Sequence, residues 1–92
     1  MQSITIRIPS ALRAFAGGAS ECQVQAASVR EALSALQTEH TLLAQKILSR
    51  GGELRPFVNL FLDDDDVRLL NGLDTPLRGE RTITIVPSVA GG

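Results

Sequence analysis

The sequence ends in VPSVAGG at 86–92, a proline followed by small residues and two glycines. With glycine at roughly 7% of average usage, such a pair ends about 0.5% of chains by chance. The tail is therefore either a site of chemistry at the Gly92 carboxylate or a frayed end. Other residues with reactive potential are few. Cys22 is the only cysteine and His40 the only histidine. Together they can form neither an internal disulfide nor a structural zinc site of four protein ligands. Alternation in ECQVQA puts Cys22 with Val24 on an apolar face, where an unactivated thiol is inert. His40 reads as a helix-end residue. The acidic run DDDD at 63–66 lacks the spaced ligands, the glycine and the closing Glu of a calcium loop, and reads as a solvated turn. No nucleophile, base and oxyanion donor can be assembled from this set, so the chain is not expected to be an enzyme, and no metal site is expected.

Ninety-two residues make one domain with a single core. Its three aromatic residues are all Phe, so that core must be built from Ile, Leu, Val and Ala. Nine basic and ten acidic residues leave a net charge of -1, which creates no field attractive to polyanions, and no nucleic-acid partner is expected. No stretch approaches the roughly 20 apolar residues that span a bilayer, and the N-terminus lacks the pattern of a secretory signal. A cytoplasmic protein without a membrane partner is expected.

The elements follow from periodicity. SITIRIP at 3–9 alternates, with Ile4, Ile6 and Ile8 on one face, and SECQVQA at 20–26 alternates again after the turn AGGA at 16–19. The two read as a hairpin with a long loop. SVRE at 28–31 has the form of a capping box, and Val29, Leu33 and Leu36 then mark one stripe of an amphipathic helix ending near His40. TLLAQKILSR at 41–50 predicts a second, shorter helix before Gly51 and Gly52. FVNLFL at 57–62 predicts a strand apolar on both faces, VRLL at 67–70 a short strand, and RTITIV at 81–86 the last strand, ended by Pro87.

This order predicts an α+β domain, a mixed sheet of four to five strands crossed by one main helix. A right-handed crossover lets the first and last strands lie parallel at the centre. That is the β-grasp, the ubiquitin-like fold, over residues 1–87, with 88–92 as a flexible tail. In FVNLFL, packing of Val58, Leu60 and Leu62 beneath the helix would turn Phe57 and Phe61 toward the open side, where an apolar patch marks a docking surface; the reverse register makes them core.

A β-grasp pattern of this length ending in Ala90-Gly91-Gly92 resembles the bacterial sulfur carriers, the superfamily of the thiamine sulfur carrier and the small subunit of molybdopterin synthase. The resemblance covers the whole chain. PFVNLFLDDDDVRLLNGLDTPL together with VPSVAGG is most similar to the cysteine-biosynthesis carriers of actinobacteria and to carriers of thiocarboxylate-dependent natural-product pathways. The resemblance implies a protein co-substrate that binds no cofactor itself. An E1-like adenylating/sulfurtransferase partner using ATP and Mg2+ joins Gly92 to AMP, and a sulfur donor then leaves a thiocarboxylate. It also implies a sulfur-accepting synthase, with a PLP-dependent cysteine synthase and a metal-dependent peptidase as candidate partners. Cysteine is the first expected product. Molybdopterin, thiamine and a thiocarboxylate natural product are alternatives, as is a ubiquitin-like modifier joined to protein lysines. Ala90 and Gly91 would thread a narrow channel, since glycine reaches backbone angles closed to other residues. Phe57 and Phe61 would dock the partner.

Overall fold

The computed structural model describes residues 2–56 and 58–87. Seven regular elements appear in chain order: β1 (Gln2–Arg7), β2 (Glu21–Ala26), α1 (Val29–Glu39), α2 (Thr41–Ile47), β3 (Val58–Leu62), β4 (Asp65–Asp66) and β5 (Arg81–Pro87). The strands form one sheet in the order β2-β1-β5-β3-β4. β1 pairs antiparallel with β2 and parallel with β5, from Ile4↔Arg81 to Arg7↔Thr84. The first and last strands thus lie side by side inside the sheet, as the crossover argument expects.

The period-two pattern of each strand decides which face is buried. Ile4 and Ile6 of β1, Val24 and Ala26 of β2, Val58, Leu60 and Leu62 of β3, and Ile83 and Ile85 of β5 are all buried. They join Val29, Ala32, Leu33 and Leu36 of α1 and Leu43 and Ile47 of α2 in one apolar cluster. Both helices cover the same side of the sheet. The other side carries Ser3, Thr5, Gln23, Thr84 and Asn59, the intervening positions of the same strands. Across β1 and β2, Gln23 Nε2 donates to Thr5 Oγ1 at 2.8 Å.

The start of α1 follows its sequence signal. Ser28 is the N-cap, its Oγ accepting from the Glu31 N–H at 3.2 Å, and the Glu31 carboxylate reaches back to the Ala27 N–H at 3.0 Å. These two bonds satisfy donors that a helix start leaves without partners. At the other end, the His40 N–H donates to the Leu36 carbonyl at 2.7 Å, while its own carbonyl accepts from Ala44 N–H at 3.0 Å. His40 closes one helix and opens the next with its backbone.

Three local expectations are corrected. β1 ends at Arg7, because Pro9 has no N–H to extend the ladder, and the hairpin loop contains a 3-10 helix at Ser10–Ala16 closed by Gly17 at φ 66°. VRLL is not a strand. The fourth strand is Asp65–Asp66, and Val67–Leu69 turns as a 3-10 helix because the Asp66 carboxylate caps it, accepting from Arg68 N–H at 2.9 Å. Part of the acidic run is accordingly in the sheet, with Leu62 opposite Asp65, which leaves Asp63 and Asp64 as the turn.

Asp63 holds that turn. It sits at φ 55°, a left-handed angle that Asp tolerates better than most residues. Its N–H donates to the Thr82 carbonyl at 2.8 Å, and its carboxylate accepts from Thr82 N–H at 3.2 Å and from the Arg81 guanidinium. Asp63→Ala is expected to lower the unfolding free energy by about 2 kcal/mol, from lost hydrogen bonds and a strained backbone. Asp63→Gly, free of the backbone strain, should cost about half of that. Urea denaturation of the two variants checks the difference. Ser28→Ala should cost about 1 kcal/mol through the lost cap.

Candidate functional site

The site is defined by the last described residues of β5. β5 lies between β1 and β3, so it is paired on both edges through Thr84 and then on the β3 side alone, as far as Val58↔Pro87. Pro87, the last described residue of the strand, cannot donate to a further ladder bond. Ala90, Gly91 and Gly92 follow it in the sequence and lie outside the described residues, as does Phe57. The structure accordingly positions the root of the tail.

Phe61 is the one of the two named phenylalanines that is described. It is half-buried on the face opposite the helices, directly across from Thr84 of β5 and Asp66 of β4. Val58, Leu60 and Leu62 take the inward positions, each no more than 2% exposed. The register is the one that leaves Phe61 on the open side. On the same face Val86 is 39% exposed, beside Asn59. The Arg68 guanidinium closes the edge of this patch by donating to Asn59 Oδ1 at 2.6 Å and to the Val58 carbonyl at 2.9 Å. An aromatic ring and an isopropyl group framed by hydrogen-bonded polar side chains make a surface suited to a protein partner.

Beside the tail root is a groove of about 440 Å3, bounded by Arg7, Pro9, Arg13, Glu21, Val86 and Pro87. Sequence reading missed it, because Arg13 sits in the hairpin loop and nothing in its spacing announces that it comes back toward β5.

The remaining candidates have structural duties. Cys22 lies opposite Ile6 at the margin of the core and is partly buried. Burial pushes its thiol pKa up, and the negative charges of Glu39 and Glu21 push it the same way. Both causes disfavour the thiolate that a nucleophile would need. Among the described residues no group of three or more His, Cys, Asp or Glu is arranged to hold a metal ion, and no helix is long and apolar enough to cross a membrane. Thr75, which sequence reading passed over, is buried in the connection before β5. Its hydroxyl donates to the Gly72 carbonyl at 2.8 Å and accepts from Asn71 N–H at 3.1 Å.

A mixed five-stranded sheet with a central parallel pair and helices on one face is a ubiquitin-like β-grasp domain, here with its last strand ending beside an open face. Residues 6–92 match the ThiS family, and the chain belongs to that family. It is 32% identical to the sulfur carrier protein CysO of Mycobacterium tuberculosis over 92 residues, which span 98% of this chain and 99% of that one. Among solved structures, a chain of the Amycolatopsis orientalis BexX/CysO complex superposes with a TM-score of 0.88 at 31% identity, covering 97% of this chain and 99% of that chain. The small archaeal modifier protein 1 of Methanosarcina acetivorans superposes equally well, with a TM-score of 0.88 at 28% identity over 100% of this chain and 98% of that one.

Two outcomes test these placements. Phe61→Asp should leave the domain folded, whereas Leu60→Asp, at the buried position next to it, should abolish the cooperative thermal transition by putting an unpaired charge in the core. Cys22 has a raised folded-state pKa, so as pH rises the unfolded chain ionises first and the native state loses stability above about pH 8.5. Cys22→Ala is expected to flatten that alkaline loss while leaving stability below pH 8 within about 1 kcal/mol of the parent, read by urea titrations across the pH range.

Proposed function

We propose that this chain is a sulfur carrier whose Gly92 carboxylate is converted to a thiocarboxylate by a partner enzyme, and that the sulfur then goes into a biosynthetic product, with cysteine the first candidate. The observation that carries the reading is the match of residues 6–92 to the ThiS family and of 98% of the chain to CysO, together with a last strand whose described end lies beside an open face. A carboxylate resists attack by sulfur because its leaving group would be oxide. Adenylation by the partner, using ATP and Mg2+, forms a mixed anhydride between the Gly92 carboxyl and AMP and releases pyrophosphate. Hydrosulfide delivered by a sulfur donor then attacks the carbonyl carbon and gives up its proton, the bond to the phosphate oxygen breaks, and AMP departs with that oxygen. The thiocarboxylate left on Gly92 is a nucleophile tethered to a protein.

This chain contributes recognition rather than catalysis. Ala90 and Gly91 are small enough to follow an extended path into a narrow channel, and Phe61 with Val86 forms the surface on which the partner rests. A complex named for BexX and CysO supports the idea that carriers of this kind act through a bound protein partner. An E1-like adenylating enzyme, a sulfur-accepting synthase and a metal-dependent peptidase are the partners proposed, in the cytoplasm.

A second reading is favoured by the likeness to a small archaeal modifier protein: the same adenylate would end in an isopeptide bond to a lysine of another protein. Mass spectrometry of the chain purified from its own cells separates the two. The mass gain of one oxygen replaced by sulfur marks the carrier, and a ladder of conjugates marks the modifier.

Deleting Gly92, or adding one residue after it, is expected to abolish thiocarboxylate formation in the presence of the activating enzyme without altering the melting temperature. Gly91→Val should do nearly the same for a different reason, since the carboxylate remains but a β-branched side chain stiffens the backbone and fills the channel. Normal thiocarboxylate on the chain without Gly92 would refute the assignment of the site. Phe61→Asp should weaken association with the activating enzyme by about 2 kcal/mol, measured by titration calorimetry.

A further inference from the structure

The groove beside the end of β5 combines three features that a docking surface for a general apolar partner does not need. The first is a free strand edge. β1 stops pairing with β5 at Arg7↔Thr84, while β3 stays with it to Pro87, so the last three residues of β5 are paired on one side only. The second is a pair of guanidinium groups. Arg7 is exposed at the end of β1. Arg13, from the 3-10 helix in the hairpin loop, donates from Nε to the Ile8 carbonyl at 3.1 Å, which fixes its head at the groove wall with its terminal N–H groups left over. The third is that neither guanidinium is held in an ion pair among the described residues. The ion pairs among the described residues are Arg30 with Asp74 and Arg81 with Asp63, so neither Arg7 nor Arg13 has a carboxylate within 4.0 Å there, even though Glu21 is directly across from Arg7 on β2.

We propose that this groove receives an extended, carboxylate-bearing segment of the partner protein, which pairs with the free edge of β5 and is held by Arg7 and Arg13. A planar guanidinium matches a carboxylate through two parallel hydrogen bonds, and an open strand edge matches an extended main chain. Nucleic acid fits less well, because no aromatic ring lines the groove for bases to stack on. The net charge of the chain is -1, so the local excess of cations is a property of this groove and not of the whole surface. Glu21 lowers the attraction and sets its strength. The partner is taken to be the enzyme that handles the tail, and in that respect alone the inference rests on the carrier reading. It places recognition of acidic groups at the tail root, separate from the apolar contact at Phe61.

The test uses the full, 15N-labelled chain and an acetylated, amidated peptide of alternating valine and acidic residues, Val-Glu-Val-Asp-Val. Amide shifts are expected at Arg7, Arg13, Ile85 and Val86, shrinking as salt is raised. The neutral counterpart, Val-Gln-Val-Asn-Val, should bind about tenfold more weakly, and so should the acidic peptide to Arg7→Glu/Arg13→Glu. Glu21→Gln should tighten binding of the acidic peptide about twofold. All three positions are exposed, so every variant should keep a cooperative thermal transition, with only a small drop for Arg7→Glu/Arg13→Glu from the lost Arg13–Ile8 hydrogen bond. Absence of shifts, shifts confined to another surface, equal binding of the neutral peptide, or equal displacement of these amides by a short oligothymidylate would each overturn the proposal. None of these outcomes depends on whether Gly92 accepts sulfur, so the docking inference and the carrier reading fail independently.

Discussion

The parallel pairing of β1 with β5 is the constraint on which the rest of this structure depends. Parallel neighbours cannot be joined by a tight turn, so the chain between them has to leave the sheet and come back. Here the chain first turns back beside β1 as β2, leaves the sheet through the two helices, and returns through β3, β4 and a long connection to β5. The pairing also puts β5 in the interior of the sheet, gripped by β1 on one edge and β3 on the other. Its inward residues Ile83 and Ile85 are at most 1% exposed and lie against Ile4, Ile6 and Leu60. Each such side chain contributes about 1.5–3 kcal/mol by burial, so the strand that leads to the tail is anchored in the best-packed part of the domain.

Anchoring of that kind suits a carrier. On the function proposed above, a carboxylate that enters a partner's active site needs a fixed point of departure and a surface that sets the approach. The single-sided packing of the sheet supplies both. One face is committed to the helices and the other is left with Thr84, Phe61, Val86 and a fringe of hydrogen-bonded polar groups. The connection between β4 and β5 is correspondingly built to hold position. Thr75 satisfies its buried hydroxyl within its own turn, and Val29 N–H donates to the Thr75 carbonyl at 3.1 Å, which ties that connection to the first residue of α1.

The reactive residue types are used for architecture. Cys22 fills the margin of the core under conditions that oppose its ionisation, His40 joins two helices through its backbone, and two of the four consecutive aspartates hold a turn and cap a 3-10 helix.

The sequence by itself determined the parts of the fold whose signal is local. Alternation in SITIRIP and RTITIV selects the buried isoleucines, because successive side chains of a strand point to opposite faces, and SVRE marks the start of α1, because a helix N-terminus demands side-chain acceptors within three residues. The Gly-Gly ending and its family resemblance were legible for the same reason, being contiguous. What only the tertiary structure decided was whatever depends on residues distant in the chain. VRLL has the composition of a strand, yet Asp66 captures its backbone and Val67 turns inward. FVNLFL is apolar on both faces, so its own pattern could not choose a register; its pairing with β5 put Leu60 under the helices and Phe61 on the open side. Arg7 and Arg13 face one groove because the hairpin loop folds back over the end of β1, a placement set by packing against the sheet and carried by no spacing in the sequence.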